Sequence, residues 1–176
     1  MERPIVSVFL ALSLDGFIAG PHGDLAWLDA YSTDSPIETG YDRLMSHADT
    51  LVMGRNTYEK LLSFDEWPYS GKRVIVLTHR PFASRYGETA MSGSIDDLMK
   101  QLWEEGSRHV YLDGGQAVRQ GLMEGVVDEL TLSWAPVILG DGIALFAGLQ
   151  HRLELKVDSL RCLPSGLVQT IYRPVR

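Results

Sequence analysis

The stretch "LVMGRNTYEKLL", residues 51–62, joins an apolar segment to a helix-like segment with no loop between them. Three apolar residues end at Gly54, and Arg55, Asn56 and Thr57 lead into a pattern typical of a short helix. The start of a helix presents free backbone N–H groups and a partial positive charge, and the fork of an arginine side chain matches a phosphate group. The stretch therefore predicts a buried strand followed by a helix that begins at an anion-binding site.

Bulk composition limits the class of protein. The 176 residues, 45% hydrophobic and 22% charged, predict one globular domain over 1–176. A net charge of -7 argues against nucleic-acid and membrane-surface binding, which need a basic field, so neither partner is expected. The single cysteine, Cys162, leaves no intramolecular disulfide and no cysteine-based metal site, and we expect no metal. The N-terminal apolar run has no basic region before it, which indicates a strand and predicts a cytoplasmic protein.

Strand and helix patterns alternate up to residue 124 and give way to long strand patterns near the C-terminus. Residues 5–14 have apolar side chains at both odd and even positions, as in a strand covered on both faces. The other predicted strands cover 50–54, 72–80, 108–113, 127–139, 152–163 and 166–175, and the predicted helices cover 34–48, 57–62, 94–106 and 115–123. This order predicts a three-layer α/β sandwich, with a mixed, mostly parallel sheet flanked by helices and a C-terminal antiparallel hairpin.

Three predicted strands end in residues suited to anions or to close backbone approach. Besides the joint at 54–57, one strand ends at Thr78, His79 and Arg80, and another at the pair Gly114–Gly115. Ligands of open α/β sheets bind at the carboxyl ends of strands, and a glycine pair lets the backbone approach a pyrophosphate. Each signal alone is weak, because a glycine pair often makes only a tight turn. Together they indicate one phosphate-binding site, and the sequence contains neither a G-x-G-x-x-G nor a Walker motif.

Several segments resemble dihydrofolate reductases, in the same order. "MGRNTYE" is similar to the segment that follows the mobile loop of that family, and "DGFIAGPHGDLAW" resembles the loop itself. "VIVLTHRP" and "VYLDGGQAV" resemble the next strand and the cofactor turn. "ALSLDGFIA" and "GLMEGVVDELTLSWAPVILGDGIALF" look closer to the C-terminal reductase domain of the bacterial bifunctional riboflavin-biosynthesis deaminase-reductase. The chain is identified as a stand-alone member of the dihydrofolate reductase-like superfamily, close to that domain.

The resemblance implies NADPH as the cofactor and, from the riboflavin branch, a homodimer. The positions that match the family's nicotinamide site are Ala11, Ile18 and Ala19. Those that match its phosphate-binding joint and turn are Gly54, Arg55, Asn56, Thr57, Gly114, Gly115, Gln116, Ala117 and Val118. Those that match its 2′-phosphate site are Thr78, His79 and Arg80. Two arginines and a histidine around one anion suit the additional phosphate of NADPH, although a solvated loop histidine is an equal alternative for His79.

The proton donor and the substrate contacts stay open at this point. The family's acidic residue falls on Glu38, whose carboxyl would have a raised pKa in a pocket and would deliver a proton. The segment "SPIE" over 35–38 is equally typical of a capping box, in which Glu38 only bonds back to the helix start. Asp29 is a further candidate for the acid or a substrate contact. Trp27 and Ser133 match substrate-facing positions, and a core tryptophan and a strand hydroxyl bonded to its neighbour are the alternatives.

The resemblance also implies the reaction, reduction of a C=N or carbonyl group in a small heterocyclic substrate. At the family level this substrate is 5-amino-6-(5-phosphoribosylamino)uracil, with dihydrofolate as the runner-up. The chain departs from the riboflavin pattern at Phe9 and Phe17, where that family usually has lysines. Their loss removes cationic partners of a substrate phosphate. An NADPH-binding module without turnover is the alternative from another class.

Overall fold

The structure is a computed structural model that describes residues 2–175. Eight strands form one sheet in the order β5-β4-β3-β6-β1-β7-β10-β9, and β2 and β8 pair separately. The strands are β1 Ile5–Ser13, β2 Phe17–Ala19, β3 Thr50–Gly54, β4 Arg73–Leu77, β5 Thr89–Met91, β6 His109–Asp113, β7 Glu129–Ala135, β8 Ile143–Ala144, β9 Leu155–Cys162 and β10 Val168–Pro174. The α-helices are α1 Pro36–Thr39, α2 Tyr41–His47, α3 Arg55–Leu61, α4 Ile95–Glu104 and α5 Gly115–Met123, and 3₁₀-helices cover Pro21–Gly23 and Ala26–Tyr31.

The large sheet is parallel from β5 to β7 and antiparallel at its C-terminal edge. β1 pairs with β6 and β7 in parallel, and β3 pairs in the same way with β4 and β6. β10 runs antiparallel to both β7 and β9. The predicted α/β fold, with its mostly parallel sheet and C-terminal hairpin, is confirmed.

Two hydrophobic cores lie on opposite faces of the sheet. Successive side chains of a strand point to opposite faces, so β3 contributes to both. Val52 packs in the core beneath α4 and α5, whereas Leu51 and Met53 pack in the core beneath α2 and α3. The sheet is therefore the middle of three layers. Because both of its faces are buried, the strand sequences are apolar at odd and even positions alike.

The structure departs from the predicted elements at several points. The helix predicted over 34–48 is two helices, because Gly40 between them has a φ of +79°, which a continuous right-handed helix does not allow. The strand predicted over 127–139 ends at Ala135, directly before Pro136. The three-residue strand β5 was missed, since its exposed side chains carry no strand pattern.

The sheet order places three strand ends beside one another. β6 lies between β3 and β1, so Gly54, Asp113 and Ser13 all lie at the carboxyl edge of the sheet. Ligands of open α/β sheets bind at this edge, and here it is covered by the segment around β2. Within residues 2–175, every helix is too short or too polar to cross a membrane.

Candidate active site

A cavity of about 640 Å³ opens at the carboxyl ends of β1, β3 and β6. Leu10 and Ala11 of β1 form part of its wall. The rest of the wall comes from the segment around β2, from α3 and the residues after it, and from the turn between β6 and α5. This volume is typical of sites that hold a cofactor or a small ligand.

The turn between β6 and α5 packs directly against the first turn of α3. Gly114 has a φ of +88°, and a Cβ added there would stand 2.1 Å from Oγ1 of Thr57. A Cβ on Gly115 would stand 2.7 Å from the end of the Ile18 side chain. Glycine at 114 is therefore required both by the backbone conformation and by the close approach of Thr57.

The first turn of α5 leaves backbone donors available to the cavity. Its N-cap residue is Gly114, which has no side chain to accept from the N–H groups that follow. Gly115 and Gln116 both line the cavity at this point. A helix start of this kind, with its partial positive charge, suits a phosphate or pyrophosphate group.

Asp113 is a buried carboxyl group in the cavity wall. It is 9% exposed, accepts a hydrogen bond from the Gly114 N–H at 2.8 Å, and accepts a long one from the Tyr69 hydroxyl at 3.4 Å. Burial raises the pKa of Asp113 to about 6, against the opposing effect of the N–H of Gly114 and the hydroxyls of Tyr69 and Tyr111. A carboxyl group of this kind exchanges a proton close to neutral pH.

Three tyrosines surround the inner side of Asp113. The rings of Tyr41 and Tyr111 are 6.3 Å apart in an edge-to-face arrangement, and the Tyr111 hydroxyl donates to the carbonyl of Phe9 at 3.1 Å. Burial raises the pKa of all three hydroxyls, Tyr41, Tyr69 and Tyr111, and Asp113 raises each of them further. The tyrosines therefore stay protonated over the pH range in which Asp113 titrates.

The segment around β2 is tied to the C-terminal half of the chain. Asp15 accepts hydrogen bonds from the N–H groups of Leu139 at 3.1 Å and Gly140 at 2.8 Å, and from the Ser13 hydroxyl at 2.6 Å. The Ser13 hydrogen bond is the main cause that lowers the pKa of Asp15 to about 2. Asp15 therefore stays ionised and holds the base of the β2 segment against residues 139–140.

Nine of the fifteen predicted cofactor residues gather in the cavity wall. These are Ala11, Ile18, Ala19, Gly54, Asn56, Thr57, Gly114, Gly115 and Gln116. Ala117 and Val118 instead face inward from α5 and pack in the hydrophobic core. Gly115 and Gln116 of the same helix reach the cavity instead, because successive residues of a helix are rotated by about 100° and face different sides.

The residues predicted around the 2′-phosphate lie beside the cavity and outside its wall. Arg55 donates from Nε to Glu59 at 2.7 Å and from Nη1 to the carbonyl of Pro81 at 2.8 Å. These contacts hold the start of α3 against the loop that contains Thr78, His79 and Arg80. Within this loop the N–H of Arg80 donates to the Thr78 hydroxyl at 3.2 Å, and the His79 and Arg80 side chains are exposed.

Glu38 lies away from the cavity wall and forms the capping box. The Ser35 N–H donates to its carboxylate at 2.9 Å, and the Glu38 N–H donates to the Ser35 hydroxyl at 3.2 Å. Of the two interpretations of Glu38, the structure therefore displays the capping one, and it gives no support to a role as the proton donor.

The predicted substrate residues are also outside the wall. Ser133 is buried, and its hydroxyl accepts a hydrogen bond at 3.0 Å from Gln169 on the neighbouring strand β10. Trp27 packs in a small separate cluster with Tyr31, and Asp29 is exposed on the second 3₁₀-helix. For Ser133 and Trp27 these are the alternatives that the sequence left open.

Sequence reasoning missed several residues that line the cavity. Asp113 had a usable signal, since it is the one ionisable side chain that directly follows the apolar core of β6 and precedes the glycine pair. Lys60 and Leu61 line the cavity because they follow Thr57 at helical spacing, which α3 was too short to reveal by pattern, and Phe64 lines it from the turn after α3. No group of three or more His, Cys, Asp or Glu side chains within residues 2–175 is arranged to hold a metal ion.

Comparison with known proteins agrees with this geometry. Residues 4–169 match the family described as the RibD C-terminal domain. The uncharacterized protein YwjB of Bacillus subtilis is 32% identical over 165 residues, which cover 92% of each chain. A solved structure from Shewanella sp. PV-4, provisionally named as a riboflavin biosynthesis protein, is 36% identical with a TM-score of 0.90, and covers 98% of this chain and 99% of that one.

A more distant comparison concerns the fold alone. Dihydrofolate reductase from Enterococcus faecalis, in complex with NADP(H), is 18% identical with a TM-score of 0.67, over 98% of this chain and 97% of that one. The sequence resemblance to both groups is thereby confirmed. The chain belongs to the RibD C-terminal domain family, a family of oxidoreductases, and it has the dihydrofolate reductase-like fold.

Proposed function

We propose that the protein is an NADPH-dependent reductase that acts on a C=N or carbonyl group of a small heterocyclic substrate. The observation that carries the proposal is the position of Asp113, a buried carboxyl group that shares one cavity with the Gly114–Gly115 turn. A candidate proton donor thus lies next to backbone donors suited to a pyrophosphate group. Membership of an oxidoreductase family supports the same reaction class.

The residues of the cavity fit a dinucleotide. A Cβ added at Gly54 would meet no atom within 4 Å, so the backbone at the start of α3 faces open space. The N–H groups at the start of α5, the Thr57 hydroxyl and the Asn56 amide would hold phosphate oxygens. Arg55 and the loop at 78–80 would hold the 2′-phosphate from beside the cavity. NADPH, when bound, supplies a hydride.

Asp113 would hold the proton that the reduction consumes. With a pKa of about 6, roughly a tenth of these carboxyl groups carry a proton at pH 7. The hydroxyl of Tyr69 and the N–H of Gly114 orient the carboxyl without competing for its proton, because the phenol stays protonated. This arrangement is typical of a general acid whose pKa has been moved toward the working pH.

Steady-state oxidation of NADPH by the purified protein tests the proposal. The substrates are 5-amino-6-(5-phosphoribosylamino)uracil, dihydrofolate and a panel of heterocyclic imines and ketones. We expect turnover with at least one of them, a loss of about a hundredfold in kcat for Asp113→Asn, and an unchanged Kd for NADPH. The matched control is Asp158→Asn, an exposed carboxylate on β9 outside the cavity wall.

The other outcomes separate the alternatives. Binding of NADPH with no oxidation by any substrate would favour the binding module without turnover. Absence of NADPH binding would overturn the proposal. A loss of kcat in Glu38→Gln with full activity in Asp113→Asn would identify Glu38, and not Asp113, as the proton donor.

A further inference from the structure

The cavity has a second half that the proposed dinucleotide site does not use. Four apolar side chains line it, Leu25 and Leu28 from the segment after β2, and Leu61 and Phe64 from the end of α3 and the residues after it. We call these four side chains the apolar half. Their chemistry differs from that of the turn at Gly114, where backbone donors and Asp113 line the wall.

The two halves are joined along α3. Thr57 packs against Gly114, and Leu61 follows one helical turn later on the same face. Four residues of helix advance about 6 Å, which is roughly the width of one aromatic ring. A ring bound in the apolar half would therefore lie next to the turn that carries Asp113.

Exposure shows that part of the apolar half is available to a ligand. Leu61 is 8% exposed, whereas Phe64 is 46% exposed. Leu25 and Leu28 of the same wall are half-buried. An aromatic side chain that remains nearly half exposed in a cavity wall offers contact area to a planar ligand.

One lysine side chain, Lys60, lies beside the apolar half. Lys60 lies in the wall between Thr57 and Leu61, is exposed, and makes no side-chain hydrogen bond or ion pair with any residue in 2–175. Its neighbour Glu59 is already paired with Arg55 at 2.7 Å. The arginine of the wall, Arg119, donates to the carbonyl of Ala144 at 2.7 Å and lies near Gly115, in the dinucleotide half.

We infer that the substrate is a planar, largely apolar ring system that carries a single anionic group, with its ring in the apolar half and its anion at Lys60. This inference rests on the proposed function and names the substrate class of that same site. A phosphoribosyl group presents several hydroxyls, and burying them against four hydrocarbon side chains would leave them without hydrogen-bond partners. The geometry therefore argues against the riboflavin-pathway substrate for this chain.

Direct binding to the protein, with no dinucleotide present, tests the inference separately from the reductase activity. The probes are 1-naphthaleneacetate, its uncharged amide, naphthyl phosphate and ribose 5-phosphate, titrated by calorimetry. We expect 1-naphthaleneacetate to bind about threefold to fivefold more tightly than its amide, as for an exposed ion pair. We expect ribose 5-phosphate to bind at least tenfold more weakly than both. Comparing the carboxylate with naphthyl phosphate identifies the preferred anion.

Variants locate the two contacts. Lys60→Met should remove the difference between the acid and its amide, Lys60→Arg should keep it, and Lys156→Met on β9 is the matched control. Phe64→Ala should weaken both naphthyl probes about fivefold to tenfold. Equal binding of acid and amide, a difference that survives Lys60→Met, tighter binding of ribose 5-phosphate, or no binding of any naphthyl probe would each overturn the inference. None of these outcomes depends on NADPH, so a failed reductase assay stays a separate result.

Discussion

Thr57 and Gly114 approach so closely that a Cβ at position 114 would stand 2.1 Å from the Thr57 hydroxyl oxygen. This contact joins the start of α3 to the turn between β6 and α5. It brings together two segments that are more than fifty residues apart in the sequence. The shape of the proposed phosphate site depends on it.

Gly114→Ala should therefore damage both folding and dinucleotide binding. The positive φ costs about 1–2 kcal/mol for an alanine, and the clash with Thr57 adds about 1–3 kcal/mol. Urea unfolding measures the stability, and a fluorescence titration measures NADPH binding. Gly125→Ala is the control, since its φ is +68° and an added Cβ meets no atom within 4 Å. Equal losses in the two variants would show that the contact with Thr57 has no effect.

Asp113 should make the free energy of unfolding fall as the pH rises. Its pKa is about 6 in the folded protein and near 3.8 when unfolded, so the folded state binds the proton more tightly. Its favourable contribution is complete below pH 3.8 and is lost as the pH rises through about 6, a change of about 3 kcal/mol. Urea unfolding between pH 4 and pH 7 should give a flatter profile for Asp113→Asn than for the wild type. Identical profiles would contradict the raised pKa.

Glu38 should contribute to stability through its cap. Glu38→Ala and Ser35→Ala each break one half of the reciprocal pair, and each should cost about 0.5–1 kcal/mol. Thermal unfolding of both variants, alone and combined, checks this, because partners in one box are not additive. A loss of turnover in Glu38→Ala that Ser35→Ala does not share would instead indicate a catalytic role for Glu38.

Arg55 should distinguish NADPH from NADH. Its guanidinium has five N–H donors, and the contacts with Glu59 and Pro81 use two of them. The rest are available to the 2′-phosphate that only NADPH carries, so Arg55→Ala should weaken NADPH about tenfold more than NADH. Arg173→Ala, on β10, is the control for loss of a positive charge. Equal losses for both dinucleotides would remove the assignment of the 2′-phosphate site.

The homodimer expected from the resemblance is a prediction that light scattering can check. β9 is an edge strand of the sheet, and Val157 and Leu160 on it are 54% and 64% exposed. Pairing with a second copy would cover this edge. We expect a mass near twice 19.6 kDa, reduced to the monomer by Leu160→Lys. A monomer at all concentrations would contradict the prediction.

Much of the fold was predictable because burial on both faces leaves a clear mark on the sequence. Most of the buried residues of β1 and β3 are apolar, with Ser7, Ser13 and Thr50 as the polar exceptions, and the glycine pair marks the end of β6. The interruption at Gly40 was not predictable, since a single glycine is tolerated inside many helices. The helical spacing of apolar residues also continues across Gly40.

The candidate site was only partly predictable for a different reason. Backbone features such as Gly54, Gly114 and Gly115 are visible as residue types, and the structure places them together. Asp113 has a raised pKa because it is buried, and Lys60 is available to a ligand because no residue in 2–175 pairs with its side chain. Both properties depend on residues that are distant in the sequence. Tyr69 and Tyr111, which surround Asp113, carry no local signal of that role.

The hydrogen bonds of Asp15 hold one part of the cavity's cover in place. The carboxylate joins the beginning of the β2 segment to residues 139–140, which ties that segment to the C-terminal half of the chain. Gly142 approaches the same segment closely, because a Cβ added there would stand 2.2 Å from the carbonyl oxygen of Ala19. We therefore expect any opening of the cover in the stretch beyond residue 20, which carries Leu25 and Leu28. In the proposed reductase, a substrate would enter and leave on that side of the cavity.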